Sequence, residues 1–392
     1  MTDSLELYGT LMTAFCKHVP RSIFQDIRRL KVLAWAVVGL CLSKTVNFNL
    51  WGEAVISEAQ YAESHQRRFH RWFHNPYVSP FAFYYPLFEA ALNTWPIEQE
   101  MYLALDTTDL PNGYVLIRVA LIYRGRAIPV TWRVLKHAST QVSFQDYRWV
   151  LYWAFLILPI GQRVVLLVDR GFLHRQLLKL IRRFGWHGRL RAKSNTMIRF
   201  PDGRCTTMSE LCPPKGQVVF YQKVHVLTDD SLGLLHLALA NPENQDEKPW
   251  YIVSTDPTDL TTLDEYALRF DTEETFLDDK SNGFQVEASK LDDAQAISRL
   301  FLVLAIATLH FVSVGVAVVK RKTRRWVDTH WHRGMSYLKI GWLWLRQQFR
   351  KRWPIMLPFH LDPEPDVEPA IASRQQAERS KRHWTIAHAG GP

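Results

Sequence analysis

The order of hydrophobic patterns along the 392-residue chain predicts an α/β fold with helical flanks. Three observations carry this. Residues 1–95 show helical apolar spacing, as in "IRRLKVLAWAVVGLCLS", with no run of alternating strands. From about residue 100 the texture turns to strands, in "MYLALDTTDL" and then "GYVLIRVALIYRGRAIPVTWRVLKH", where "RGR" at Arg124–Arg126 suits a hairpin turn. Strand-like and helical segments then alternate, as a layered sheet requires.

Taken in order, residues 1–95 form a helical N-terminal domain whose last helix, "ESHQRRFHRWFHNPYVSP", interleaves Arg67, Arg68 and Arg71 with Phe69, Trp72 and Phe73. Two readings fit it. Either the arginines reach phosphates while the aromatics pack or stack, or the helix is amphipathic with its aromatics in a core and its arginines in solvent. Residues 96–194 form the first part of the core: the strands above, a helix at "SFQDYRWVLYWAFLIL", the strand "RVVLLVDRGF", the helix "LHRQLLKLIRRFGW" and the strand "RLRAKSN". Residues 195–248 break the rhythm and read as a β-rich insertion. Residues 249–320 resume the core with "WYIVSTDP", a helix rich in carboxylates and an apolar helix. A basic, Trp-rich helical region spans 321–362, and the Pro-, Glu- and Ala-rich stretch 363–392 is expected to be disordered.

Composition narrows the function. A formal net charge of +10 points to an anionic partner, nucleic acid being the commonest large one, and 47% hydrophobic residues suit a packed globular protein. The cysteines Cys16, Cys41, Cys205 and Cys212 show no CxxC spacing, so neither a zinc site nor a disulfide framework is expected. The N-terminal sequence carries no secretory pattern, and a cytoplasmic location is expected. One uncharged stretch, Leu300–Val319, is long enough to span a bilayer, but Thr308, His310 and Ser313 within it favour a helix buried in the core.

Why a basic chain should concentrate carboxylates between Glu265 and Phe284 is the informative question. On a helical wheel with Tyr266 at zero, Arg269 falls near 300°, Glu273 near 340° and Lys280 near 320°, one narrow stripe. Asp264, Asp271, Glu274 and Asp278 fall between about 80° and 160°, where a solvated acidic face is expected. Glu273 therefore faces with a Tyr, an Arg and a Lys. That suits a place where a metal ion meets a nucleic-acid backbone, although an i, i+4 pair of Arg269 with Glu273 is the plainer account. Two aspartates strengthen the first reading. Asp106 ends the apolar run "MYLAL" and Asp169 ends "RVVLLV", and ligand groups in open α/β sheets gather at the carboxyl ends of strands. Asp109, beyond that strand end, competes with Asp106. Three carboxylates from distant parts of the chain could hold two Mg²⁺ ions about 4 Å apart.

With these residues in view, the sequence resembles the DDE transposases of bacterial insertion sequences, of the IS-four type marked by the signature Y-x2-R-x3-E-x6-K. Tyr266, Arg269, Glu273 and Lys280 match every spacing, while "DTTDL" at Asp106 and "VDRGF" at Asp169 resemble the first and second aspartate motifs. The resemblance covers about residues 55–350. It implies an RNase H-like catalytic core with a β-rich insertion, and Asp106, Asp169 and Glu273 as catalytic ligands of two Mg²⁺ ions, for which Mn²⁺ could substitute. It implies that Tyr266, Arg269 and Lys280 contact the phosphates of double-stranded DNA, both transposon ends and target, within a homodimer and without a membrane. Some relatives cut through a hairpin intermediate and stack a flipped base on an aromatic residue, for which Trp250 is a candidate. A catalytically silent DNA-binding descendant of such an enzyme is the alternative.

Overall fold

The computed structural model describes residues 2–56, 61–227, 230–244, 246–280, 283–356, 359–370 and 384–387. The N-terminal region is helical: α1 (Thr2–His18), α2 (Arg21–Phe24), α3 (Ile27–Ser43), α4 (Ala62–Phe73) and α5 (Pro80–Ala91). Local chemistry sets the boundaries. Asp26 caps α3 by accepting from the Arg28 backbone N–H, and Ser79 caps α5 ahead of Pro80. On α4 the core takes the aromatics: Phe69 meets Trp51 edge-on at 5.2 Å between ring centroids, and Phe73 packs on Phe48 at 5.7 Å. Arg67 and Arg71 stay exposed, Arg67 paired with Glu63 at 2.5 Å, and Arg68 is half-buried. The amphipathic reading of this helix therefore holds for its aromatics, which are packed away from any base.

Three antiparallel strands follow: β1 (Met101–Leu110), β2 (Tyr114–Tyr123) and β3 (Arg126–Lys136). The expected hairpin at Arg124–Gly125 is present, with both residues at positive φ (51° and 80°), as a two-residue primed turn demands. After α6 (Phe144–Ile157) come β4 (Val164–Val168), α7 (Arg175–Arg183) and β5 (His187–Arg191), β4 pairing parallel with β1 and β5 parallel with β4. The strands expected over 195–248 are β6 (Met197–Arg199), β7 (Cys205–Thr207), β8 (Gln217–Val226) and β9 (Leu235–Asn241). They continue the main sheet through β10 (Trp250–Ser254), giving the order β3-β2-β1-β4-β5-β10-β9-β8-β6-β7, with β11 (Thr385–Ile386) on β8.

The sheet has two chemically different faces. On one, Leu103, Leu105, Val164, Leu166 and Val168 join the main core. This core contains α10 (Ala294–Lys320), the long apolar helix, which is buried along nearly its whole length against α3, α5, β3 and α11 (Tyr337–Lys351). By length and composition α10 is the one helix among the described residues able to cross a membrane; here it is the core helix. Its crossing with α11 is set by two glycines. A Cβ on Gly341 would stand 1.8 Å from the Phe311 carbonyl oxygen, and one on Gly315 would stand 2.0 Å from that of Tyr337. Only hydrogen fits at either position.

The other face is covered by α8 (Leu260–Ala267), over β5, β9 and β10, and α9 (Asp271–Asp279), over β1–β3. Here one expectation needs correction: the predicted acidic face is only partly solvated. Asp279 is buried against Arg118 of β2 at 2.6 Å, with side chains 7% and 2% exposed, and Asp278 pairs with Arg126 of β3 at 2.7 Å. The Thr275 hydroxyl accepts from the Ala127 backbone N–H. Only Asp264 and Glu274 of the predicted acidic face remain exposed. The half-buried Asp271 has its pKa pushed up to about 6, first by burial and also by Glu274, against the opposing pull of Arg126.

The stretch expected to be disordered begins at 363, yet residues 363–370 lie along the protein. Arg333 pairs with Asp366 at 3.0 Å, Arg324 pairs with Glu368 at 2.7 Å, and Tyr337 donates to Asp366. Arg324 and Arg333 are buried, and buried guanidiniums need carboxylate partners. Residues 371–383 and 388–392 lie outside the described residues.

Two stability tests follow from this packing. Gly341→Ala should destabilise the protein by about 1–3 kcal/mol, because the backbones must part. Gly9→Ala, on α1 with nothing within 4 Å of the new Cβ, should be stabilising by roughly 0.5–1 kcal/mol. Equal denaturant midpoints for the two variants would contradict the close-crossing account. For Asp271, a carboxyl whose folded pKa is raised from 3.8 to about 6 costs stability as pH rises between those values, and the penalty is complete above them. Asp271→Asn should therefore stabilise the fold by about 1–3 kcal/mol at pH 8 and change little near pH 4, as read by chemical denaturation at both pH values.

Candidate active site

The site starts from a strand register. β1 and β4 run parallel, and the last residue pair of their ladder is Leu105 with Val168. Asp106 and Asp169 are the next residues on the two chains, so the carboxylates leave neighbouring strands that lie about 4.8 Å apart. Asp106 does not end its strand, as the apolar run had implied. β1 continues to Leu110 through pairing with β2, Asp106 opposite Arg118, and it is the partner strand β4 that stops. Asp109 is exposed on the same strand, three residues further on. By the period of two, Asp106 points with Ala104 toward the face covered by α8 and α9.

Arg269 joins the parts. It lies in a short 3-10 turn (Leu268–Phe270) between α8 and α9, and its buried guanidinium spans two carboxylates: Nη1 donates to Asp106 Oδ2 at 3.0 Å and Nη2 to Glu273 Oε1 at 3.2 Å. The Thr272 hydroxyl adds a bond to Asp106 Oδ2 at 2.9 Å, and the Thr107 backbone N–H one to Oδ1 at 2.8 Å. Burial alone would lower the Arg269 pKa. Tyr266, Asp106, Asp169 and Glu273 together outweigh it and raise the value, so all three acids act on this one cation. Glu273 is 58% exposed and open to solvent on its other side. The plain i, i+4 pair and the wider cluster are both present.

Asp169 differs from Asp106. Its Oδ1 is buried without a hydrogen-bond partner among the described residues, and Arg191 Nη1 comes no closer than 4.0 Å. Tyr266 is fully buried, its hydroxyl also unpartnered among the described residues, and burial, with Arg269 opposing, pushes its pKa up to about 12. As arranged here, Tyr266 and Arg269 do not reach a phosphate in solvent. Lys280 lies beyond the last residue of α9, half-buried next to Asp279, because the helix ends before it. Trp250 corrects a further expectation: it is 8% exposed on β10 and packs edge-on against Tyr266 at 5.6 Å and near Phe270 at 5.8 Å, so it offers no face to a flipped base.

Sequence reasoning missed the residues that hold this arrangement. Arg189 of β5 pairs with Glu265 at 2.6 Å and with Asp256 at 2.7 Å, fixing α8 on the sheet. Arg189 and Arg191 alternate in "RLR", and two arginines at i, i+2 in an inner strand put two charges on one sheet face. That spacing was the available signal. Thr272 has none beyond its position beside Glu273.

The donor types suit a hard divalent cation: three carboxylates, one with a buried oxygen left open. Among the described residues, no group of three or more His, Cys, Asp or Glu side chains stands close enough together to hold a metal ion. Arg269 lies between two of the candidate ligands and neutralises them. The residues match a divalent ion in chemical kind but are not gathered around one position as arranged here, where the guanidinium takes the charge-balancing place.

No family model matches the sequence, and no curated protein matches it. Among solved structures the chain is similar to a piggyBac transposase synaptic complex with hairpin DNA, studied by cryo-EM. The likeness covers 95% of this chain and 80% of that chain at 10% identity, with a TM-score of 0.38. A likeness of that size adds no argument of its own.

Proposed function

We propose that the chain is a DNA transposase of the DDE type, related to the insertion-sequence group with the Tyr-Arg-Glu-Lys signature. The observation that carries this reading is the placement of Asp106 and Asp169 one residue past the Leu105–Val168 register, beneath the helical segment in which Arg269 bonds both Asp106 and Glu273. The strand order β3-β2-β1-β4-β5, with β1–β3 antiparallel and β4 and β5 parallel to β1, supports an RNase H-like core. Strands β6–β9 between Asp169 and Glu273 suit the β-rich insertion of that group.

In this reading Asp106, Asp169 and Glu273 would hold two Mg²⁺ ions, with Mn²⁺ as a substitute. Bound there, the ions would supply Lewis-acid activation of a water or a 3′-hydroxyl and charge neutralisation at the leaving oxygen. The chain's own residues do the rest. Thr272 and the Thr107 N–H orient the Asp106 carboxylate, and Arg269 keeps the acids from repelling one another until a phosphate competes for it. Lys280, at the end of α9, meets the phosphates of the transposon end. The reaction is strand cleavage at terminal inverted repeats and joining of the freed 3′-hydroxyl to target DNA, through a hairpin in one variant of the route. The enzyme works in the bacterial cytoplasm as a homodimer, since two ends must be held together. A catalytically silent DNA-binding relative is the second reading, favoured by the closed, arginine-bridged state of the acids.

Cleavage of end-bearing DNA in Mg²⁺ separates the two. Glu273→Gln should keep DNA binding and lose cleavage by at least about 100-fold, since lost outer-shell partners alone reach that; wild-type cleavage by this variant would refute the assignment. Lys280→Ala should weaken the end complex in a gel shift with the melting temperature unchanged, and an unaltered shift would remove Lys280 from the interface.

A further inference from the structure

Helix α7 has no part in the carboxylate cluster, and every charge on it is positive. Stepping about 100° per residue, Arg182, Arg175, Lys179 and Arg183 fall within one arc of about 100°. The buried Leu177, Leu178 and Ile181 fill the opposite side. All four cations are exposed, as is Arg170, and no acidic residue occurs anywhere from Arg170 to Arg183.

Helix α4 mixes signs on its solvated face, where Glu63 sits four residues before Arg67. On α7 the i, i+4 neighbours are Arg175 with Lys179 and Lys179 with Arg183, like-charge pairs that each cost about 0.2–0.5 kcal/mol. At Lys179 and Arg183 a polyanion lying along the helix would offset that cost. The ridge is also fixed in place: Arg182 donates to the Leu234 carbonyl at 3.3 Å and lies over Gly233, where a Cβ would come within 2.9 Å of its Nη1. Its start adjoins the candidate site, because Arg170 directly follows Asp169 and α7 begins at Arg175.

We infer that α7, with Arg170, is a docking ridge for the phosphate backbone of duplex DNA that leads away from the carboxylate cluster. The ridge extends about 12 Å along the helix, a length over which duplex DNA presents roughly seven charges. The inference rests on the DNA-handling reading above but not on its chemistry, since it needs neither metal nor cleavage.

The test is binding of a fluorescein-labelled 30-base-pair duplex by the full chain, followed by anisotropy from 50 to 200 mM NaCl. Lys179→Gln/Arg183→Gln should lower affinity at 50 mM salt. It should also make the slope of log K against log salt shallower by about 1.8, or 0.9 for each phosphate that the variant no longer neutralises. Lys17→Gln/Lys31→Gln, which removes the same charge from exposed positions elsewhere, should leave the slope unchanged. If wild type binds and the ridge variant keeps its slope, the ridge is refuted and the DNA reading stands; if wild type binds no duplex, both fall. An equal slope change in both variants would reduce the effect to net charge and overturn the ridge. So would loss of binding to phosphatidylserine-containing vesicles by the ridge variant at an unchanged DNA slope, which would make α7 a membrane-facing helix.

Discussion

Charges on the inner face of a sheet cost several kcal/mol each unless matched, and the layer formed by α8 and α9 is held to its sheet by such matches. Arg118 meets Asp279, Arg126 meets Asp278, Arg189 meets Glu265, and Arg269 meets both Asp106 and Glu273. Four arginines and five carboxylates thereby weld two short helical pieces across strands β1, β2, β3 and β5. This answers why a basic chain concentrates acids between Glu265 and Asp279. At Arg118, Arg126 and Arg189 the sheet supplies the cation and the covering segment the anion, and at Arg269 the polarity is reversed, with Asp106 on the sheet. Loss of one partner from a pair as closed as Arg118–Asp279 leaves a stranded charge, typically a loss of about 3–5 kcal/mol.

The opposite face of the sheet follows a different rule. There the core is apolar, and α10 is its centre, lying so close to α11 that Gly315 and Gly341 have no room for a side chain. One titratable group inside it is kept neutral: His310 is fully buried with neither ring nitrogen bonded among the described residues, and burial lowers its pKa to about 4. One sheet thus separates a rigid hydrophobic layer from a layer of ion pairs. Rigidity on the first side lets the second hold its charges in register, since a shift of one residue between β1 and β4 would carry Asp106 and Asp169 to opposite faces.

Much of this was readable in the chain because it depends on local pattern. The hairpin at Arg124–Gly125, the apolar strand before Asp169 and the buried α10 each follow from short runs of residue type. What escaped depends on distant pairing. "DTTDL" has weak strand propensity, and β1 extends through it only because β2 pairs with it, which makes Asp106 a mid-strand residue beside a strand that ends. The helical wheel assumed one uninterrupted helix. A 3-10 turn at Leu268–Phe270 advances the chain by about 120° per residue instead of 100°, and α9 stops before Lys280, so the four signature residues do not form a single exposed stripe. Asp278 looked solvated because its partner, Arg126, lies more than 140 positions away in sequence, on a strand whose alternation was apolar enough to hide it.

The position of Arg269 limits what any phosphate-binding role could be. Its guanidinium offers five N–H donors in a rigid plane; one goes to Asp106, one to Glu273, and Nε is buried without an acceptor among the described residues. A phosphate that draws this arginine away must therefore replace two charge-assisted bonds, and it would leave Asp106 and Glu273 facing one another with their negative charge uncompensated. The exchange is favourable only if a second cation arrives at the acids as the arginine departs. In the proposed reaction, contact of Arg269 with a phosphate would then be coupled to loading of the carboxylates, whereas docking of DNA on the other basic surfaces would not be. In the proposed reading, a chain that kept the bridge of Asp106, Arg269 and Glu273 but lost Asp169 would dock DNA without cutting it, which is how a catalytically silent relative would differ from an active one while sharing its fold.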